Sequence, residues 1–166
     1  MSFVPIIMGS KGDLPHGQAI AEGLSAFGIA SELRVASAHK AARYLLDLLA
    51  AYEADPRPKV YITVAGRSNA LSGLVDANVR APVIACPPYG ERFGGADLFS
   101  SLRMPSGVAP AVVLEPSGAA LLAAKILALA DPNLRERIAQ AQQAAMEQIV
   151  ADDRALQEER PTTRMR

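Results

Sequence analysis

"KVYITVAGRSNALSGLVDANVRAPVIACPP", residues 59–88, places a Val- and Ile-rich run, a short polar loop, a helix-like stretch and a second apolar run in succession. The runs 59–66 and 82–88 read as strands. Neither alternates cleanly between apolar and polar residues, which is the pattern of a strand covered on both faces. Residues 69–79 read as the helix that joins them. Two covered strands linked through a helix are parallel neighbours with a right-handed crossover.

The same alternation extends in both directions from this segment. "FVPIIMG" (3–9) and "SELRVAS" (31–37) precede it as strands, and "PAVVLEP" (110–116) follows it. Helices are expected over 14–27, 40–53, 96–103 and 117–130. In the first, Ile20, Leu24 and Phe27 share a stripe and Gly28 is a stop signal. In the second, Ala42, Leu45, Leu46, Leu49 and Tyr52 form the apolar face. Repeated strand–helix units predict an α/β fold: a three-layer, doubly wound parallel sheet of flavodoxin-like or Rossmann-like type. No internal repeat, low-complexity tract or long linker interrupts it. Residues 1–166 are therefore expected to be a single domain, with the sandwich ending near residue 130.

Residues 133–157 break the pattern. Leu134, Ile138, Ala141, Ala145, Ile149 and Leu156 recur at helical spacing on an otherwise charged segment. An amphipathic helix that follows a complete sandwich either packs on its own domain or docks on another subunit. The tail "EERPTTRMR" is expected to fray.

Composition narrows the functional classes. Seventeen Lys and Arg balance seventeen Asp and Glu, so the basic excess of a nucleic-acid coat or an anionic-membrane binder is missing. Cys86 is the one cysteine and there are two histidines, which leaves no disulfide framework and argues against a Cys- or His-built metal site. The N-terminus lacks the basic and apolar regions of a signal peptide, and no run of 18 apolar residues offers a membrane span. A cytoplasmic protein is expected, with no membrane and no nucleic-acid partner.

In an open parallel sheet, ligands bind at the carboxyl ends of the strands. Three loops there are rich in small and polar residues. In "MGSKGD" (8–13), Gly9 and Gly12 permit close backbone approach, Ser10 can donate to a phosphate, and the following helix N-terminus favours an anion. Asp13 can accept from ribose hydroxyls, or it can cap the helix. In "SAHK" (37–40), Ser37 is either a cap or a ligand contact, and Lys40 is either a solvated charge or an anion partner. His39 lies at a strand end rather than on an apolar stripe, and imidazole transfers protons in both directions near neutrality. His16, in the first turn of a helix, is expected at the surface, and Cys86 is expected to be a buried apolar residue. In "AGRSN" (65–69), Arg67 can pair bidentately with carboxylate or phosphate, while Ser68 can bind ligand or cap the next helix.

Together "IIMGSKGD", "ELRVASAHK", "VAGRSNALSGLV", "APVIACPP" and "SSLRMPSGVAPAVVLEPSGAALLAAKILAL" resemble the carboxylase of purine biosynthesis that acts on 5-aminoimidazole ribonucleotide (AIR). The resemblance runs in order over about residues 4–130 and implies a flavodoxin-like fold. It also implies a homo-oligomer, octameric or tetrameric, built in part through the C-terminal helix. The family has two branches. A mutase branch, which moves a carboxylate from the exocyclic nitrogen to C4, typically carries "SAHR" and "AGGAAH". A branch that fixes CO2 directly typically carries "SAHK", "AGRSN" and "CPP", and this chain is similar to the second on all three counts. The resemblance departs at one point: the first loop usually reads G-S-x-S-D, whereas here Gly12 stands in place of the second serine.

That resemblance implies reversible carboxylation of AIR without cofactor, metal, ATP or biotin. His39 would carry the C4 proton and Lys40 would neutralise phosphate or the developing carboxylate. Gly9, Ser10, Asp13 and Ser37 would hold the ribose phosphate, and Gly66, Arg67, Ser68 and Asn69 would orient the carboxylate or CO2. Other readings stay open. These are the mutase, a sensor that binds a phosphorylated metabolite without chemistry, and a Schiff base on Lys40. A receiver-like domain would want an aspartate where the third strand ends in "VAGRSN".

Overall fold

The computed structural model describes residues 1–158, so the tail expected to fray lies outside the described residues apart from Glu158. Five strands form one all-parallel sheet: β1 (Phe3–Met8), β2 (Ala30–Val35), β3 (Tyr61–Val64), β4 (Val83–Ala85) and β5 (Ala111–Val112). Their order across the sheet is β2-β1-β3-β4-β5, the flavodoxin-like arrangement, whose strand order reverses between β1 and β3. The helices are α1 (Leu14–Ala26), α2 (Ala42–Ala54), α3 (Ala70–Asp76), α4 (Phe99–Leu102), α5 (Pro116–Leu127) and α6 (Pro132–Glu158).

The unbroken apolar runs are explained by two cores, one on each face of the sheet. Val4, Ile6 and Met8 of β1 face one core, with Ile62 and Val64 of β3, Ile20 and Leu24 of α1, and the alanines of α5. Phe3, Ile7 and Tyr61 face the other, with Leu45, Leu49 and Tyr52 of α2 and Leu71 and Val75 of α3. Each strand alternates faces with period two, but both faces are dry, so the alternation is apolar against apolar. Burying one such Leu or Ile contributes about 1.5–3 kcal/mol. β2 differs because it is an edge strand: Ala30 and Val35 are exposed and the four residues between them are only partly buried.

On the first face α1 and α5 lie close. A Cβ added at Gly23 would stand 2.8 Å from the Cβ of Ala120, so a glycine is what allows these helices to meet at that distance. Gly28, with φ +68°, ends the first helical segment in the left-handed conformation expected of a helix stop.

Residues 96–103, expected as a single helix, divide into a 3₁₀ turn at Ala96–Leu98 and the four-residue α4. Gly94 and Gly95 before them both adopt positive φ. The C-terminal helix forms as expected. Asp131 Oδ1 caps it by accepting from the Asn133 and Leu134 amides at 3.0 and 3.1 Å. Arg137 Nε ties it to the Phe27 carbonyl at 2.9 Å. Only Leu134 and Ile138 of the seam enter the core; Ala141, Ala145, Ile149 and Leu156 are exposed. No helix of the described residues is long and apolar enough to cross a membrane.

Candidate active site

Reversal of strand order leaves a crevice between the ends of β1 and β3. The backbone ladder runs on into the loops that line it: Gly9 N–H donates to Val64 O at 2.9 Å, Ala36 N–H to Met8 O at 2.9 Å, and Cys86 N–H to Thr63 O at 2.8 Å. The three polar loops therefore leave the sheet at one level. They enclose a cleft of about 740 Å³, within the range of small-molecule sites.

Nine of the ten residues singled out in the sequence line this cleft: Gly9, Ser10, Asp13, Ser37, His39, Lys40, Gly66, Arg67 and Ser68. His39 and Lys40 are exposed, and among the described residues neither side chain has a hydrogen-bond partner. The turn that carries them is fixed by Ser37, whose Oγ accepts from the Lys40 amide at 3.2 Å; α2 starts two residues later. In the first loop Asp13 does not cap α1. Its Oδ2 accepts from both the amide and the hydroxyl of Ser10, at 2.9 and 3.0 Å, closing the "SKGD" turn against itself.

Asn69 is placed behind the cleft, with 4% of its surface exposed. It is the residue that caps α3, in place of Ser68: its Oδ1 accepts from the Ser72 amide at 3.1 Å and from the Ser72 hydroxyl at 2.9 Å. Its Nδ2 donates to Ser101 Oγ at 2.8 Å. Ser72 Oγ lies 2.7 Å from Thr63 Oγ1. Thr63, Asn69, Ser72 and Ser101 are the buried polar residues of the described chain, and they form one connected chain of hydrogen bonds. It ties β3, α3 and α4 together beneath Arg67.

Arg67 has φ +59° and is the one described non-glycine residue with positive φ. A side chain held there costs on the order of 1–3 kcal/mol, so the surroundings must hold it. Asp97 Oδ2 accepts from the Arg67 amide at 2.9 Å and Ser100 Oγ lies 3.1 Å from the Arg67 carbonyl oxygen. Asp97 also lines the cleft, as do Pro88, Tyr89, Gly90 and Phe93. None of these five is singled out individually by the sequence. Pro88, Tyr89, Gly90 and Phe93 lie on the Pro- and Gly-rich stretch 86–95, which reads only as a loop that closes over a ligand or packs against a neighbour, and Asp97 falls in the stretch 96–103 read as a helix. The available signal was positional: this loop follows β4, so it too leaves the carboxyl edge of the sheet.

His16 corrects the expectation of a surface residue. It is half-buried, and its Nε2 lies 3.3 Å from Cys86 Sγ. Burial lowers the His16 pKa below the usual imidazole value, against the opposing pull of the Asp13 carboxylate. Burial likewise pushes the Cys86 thiol up to about 12, so the pair is a neutral imidazole beside a neutral thiol. Among the described residues, no group of three His, Cys, Asp or Glu side chains could hold a metal ion.

An imidazole, an ammonium and a guanidinium lining one crevice of a flavodoxin-like sheet fit a class: an α/β enzyme for a small ligand that carries anionic groups. Comparison with known proteins narrows the class. The AIR carboxylase family model matches residues 3–148, and the chain belongs to that family. A phosphoribosylaminoimidazole carboxylase from Treponema denticola is 50% identical over 154 residues, 93% of this chain and 97% of that one. One from Archaeoglobus fulgidus is 54% identical over 151 residues, 91% of this chain and 83% of that one. The crystal structure of Treponema denticola PurE superposes with a TM-score of 0.92 at 49% identity, covering 94% of this chain and 99% of that chain.

Proposed function

We propose that this chain catalyses the reversible carboxylation of AIR by CO2, giving the 4-carboxy ribonucleotide of purine biosynthesis. The observation that carries the reading is the convergence of "GSKGD", "SAHK" and "AGRSN" on one cleft, in a chain that belongs to the AIR carboxylase family. The exocyclic amine makes C4 of the aminoimidazole enamine-like, so C4 attacks the carbon of CO2 and a π pair of CO2 moves onto oxygen. The adduct holds both a hydrogen and a carboxylate on tetrahedral C4. Neutral His39 takes that proton, the C–H pair returns to the ring, and aromaticity is restored. In reverse, the imidazolium protonates C4 and CO2 leaves. Lys40 balances the charge of the phosphate or of the forming carboxylate. Ser10, Asp13 and Ser37 hold the ribose phosphate around Gly9. Arg67, Ser68 and Gly66 orient the carboxylate or CO2, and Asn69 acts from behind by fixing their loop. The scheme draws on no ATP, metal or biotin.

The exposed seam of α6 is read as a contact with other copies of the chain, in a tetramer or octamer working in the cytoplasm. The decisive assay follows decarboxylation of the 4-carboxy ribonucleotide by ultraviolet absorbance, then asks whether AIR with bicarbonate and no ATP reverses it. Reversal that scales with CO2 supply is the expected result. Turnover of only the N-carboxylated isomer would make the protein a mutase, and tight binding without turnover would make it a sensor.

A further inference from the structure

We infer that Asp97 is a positioning residue for the reaction, acting by holding the backbone of Arg67 in its left-handed conformation. The inference rests on the reading above in one respect, that Arg67 engages the carboxylate or CO2. The geometry is otherwise independent of it. Asp97 Oδ2 accepts the Arg67 amide at 2.9 Å. Three residues on, Ser100 Oγ accepts from the Asn69 amide at 3.0 Å and lies within donor reach of the carbonyl oxygens of Arg67, at 3.1 Å, and of Asp97, at 2.7 Å. The segment 97–101 thus holds Arg67 at its amide and carbonyl and Asn69 at its amide and side chain. Residue 67 is the place in the described chain where a side chain other than glycine's is carried at positive φ.

Glycine would adopt that conformation at no steric cost, so the clamp serves the presence of an arginine there. Rotating φ of residue 67 back to the ordinary region would re-aim both its guanidinium and the following Ser68, which line the cleft. The carboxylate is also packed in place: a Cβ added at Gly66 or Gly90 would stand 3.5 or 3.4 Å from Asp97 Oδ2. It lies between two loops of the cleft and fixes one against the other. Asp97 needs no contact with substrate for this role.

The test is a set of variants assayed for decarboxylation of the 4-carboxy ribonucleotide and for thermal midpoint. Displacing a ligand-orienting group by about an ångström costs up to roughly a hundredfold in rate, so Asp97→Ala is expected to lower kcat/KM by about tenfold to a hundredfold. Asp97→Asn keeps an oxygen acceptor for the Arg67 amide and is expected to recover most of that loss. In an Arg67→Ala background, Asp97→Ala is expected to cost clearly less than it does alone, because the guanidinium it positions is already gone and only Ser68 is left to be re-aimed. Additive losses, or Asp97→Asn as impaired as Asp97→Ala, would overturn the proposal, since Asp97 would then act through its own charge. A lowered thermal midpoint with unchanged kcat/KM would overturn it also, leaving a structural role. If Arg67→Ala alone leaves kinetics unchanged, the reading of Arg67 fails and the role inferred for Asp97 in the reaction fails with it. The Arg67→Ala result by itself tells that failure apart from one confined to Asp97. Should Asp97→Ala not fold, Ser100→Ala removes the other half of the clamp and is held to the same comparison.

Discussion

Gly12→Ser restores the residue usual at this point of the family's first loop, and its effect follows from the space around Gly12. Gly12 is exposed, lines the cleft and sits in the 3₁₀ turn Lys11–Asp13. It is not among the positive-φ residues, so a side chain there carries no backbone strain. The one atom within 4 Å of an added Cβ is Ser10 Oγ at 3.4 Å, an ordinary contact. Two gains are expected. Replacing glycine at a compatible site narrows the unfolded ensemble and contributes about 0.4–1 kcal/mol, which at this chain length raises the thermal midpoint by about 1–4 °C. A hydroxyl that reaches the ligand contributes about 0.5–1.5 kcal/mol, about a twofold to twelvefold gain in affinity. Where that hydroxyl meets the phosphate, which does not react, the gain is shared by ground and transition states and should lower KM while leaving kcat alone; where it meets the reacting carboxylate, kcat should rise as well. Gly12→Ala separates the two effects: it should show the midpoint shift without the KM shift. Initial-rate decarboxylation and a thermal melt read both quantities. A higher KM for the serine variant would mean that the ligand needs the bare backbone at residue 12, and a lower midpoint that a side chain there is strained; either outcome overturns the prediction.

His39→Asn is expected to lower kcat by about 10²–10⁴-fold while calorimetric affinity for the 4-carboxy ribonucleotide stays within about threefold, and full turnover would remove His39 from the chemistry. Asn69→Ala should cost about 1–3 kcal/mol in urea unfolding, because it strips the α3 cap and leaves Ser72 and Ser101 short of partners. The His16 pKa is lowered on folding, so below the unfolded value near 6.5 the unfolded chain takes up a proton that the folded one refuses. Stability should fall as pH drops from there through the folded pKa, and the slope of thermal midpoint against pH should flatten in His16→Asn. With its thiol fully buried and its pKa raised to about 12, Cys86 should react with Ellman's reagent in the unfolded chain and far more slowly in the native one.

The sheet was legible because its signal is dense. Ile6, Ile7, Ile62 and Ile84 are buried to the last ångström, and runs of such residues bounded by glycine and proline have few other uses. The cleft was legible for a different reason: a parallel sheet sends its loops to one edge, so any polar loop after a strand is already placed. Legibility failed where one residue type serves two purposes. Asn69 and Ser68 are adjacent, and an amide or a hydroxyl can cap a helix or meet a ligand equally well. Which one turns inward is decided by Ser72 and Ser101, and Ser101 is 32 residues away in the chain. His16 and Cys86 are 70 residues apart, and no local pattern announces their contact.

The Asp97 clamp left no trace in the sequence for a related reason. A positive φ at glycine is readable, since glycine advertises it; a positive φ at arginine is not, because arginine is ordinary everywhere else. The conformation exists because hydrogen bonds from residues 30 and 33 positions downstream hold it. Those positions lie on a segment that begins with two left-handed glycines and has no apolar period of its own. The loop after β3 therefore gets its residue types from the local sequence but its shape from α4 and the turn before it. A change confined to residues 96–101 should accordingly alter how the cleft handles its ligand without altering any residue of "GSKGD", "SAHK" or "AGRSN".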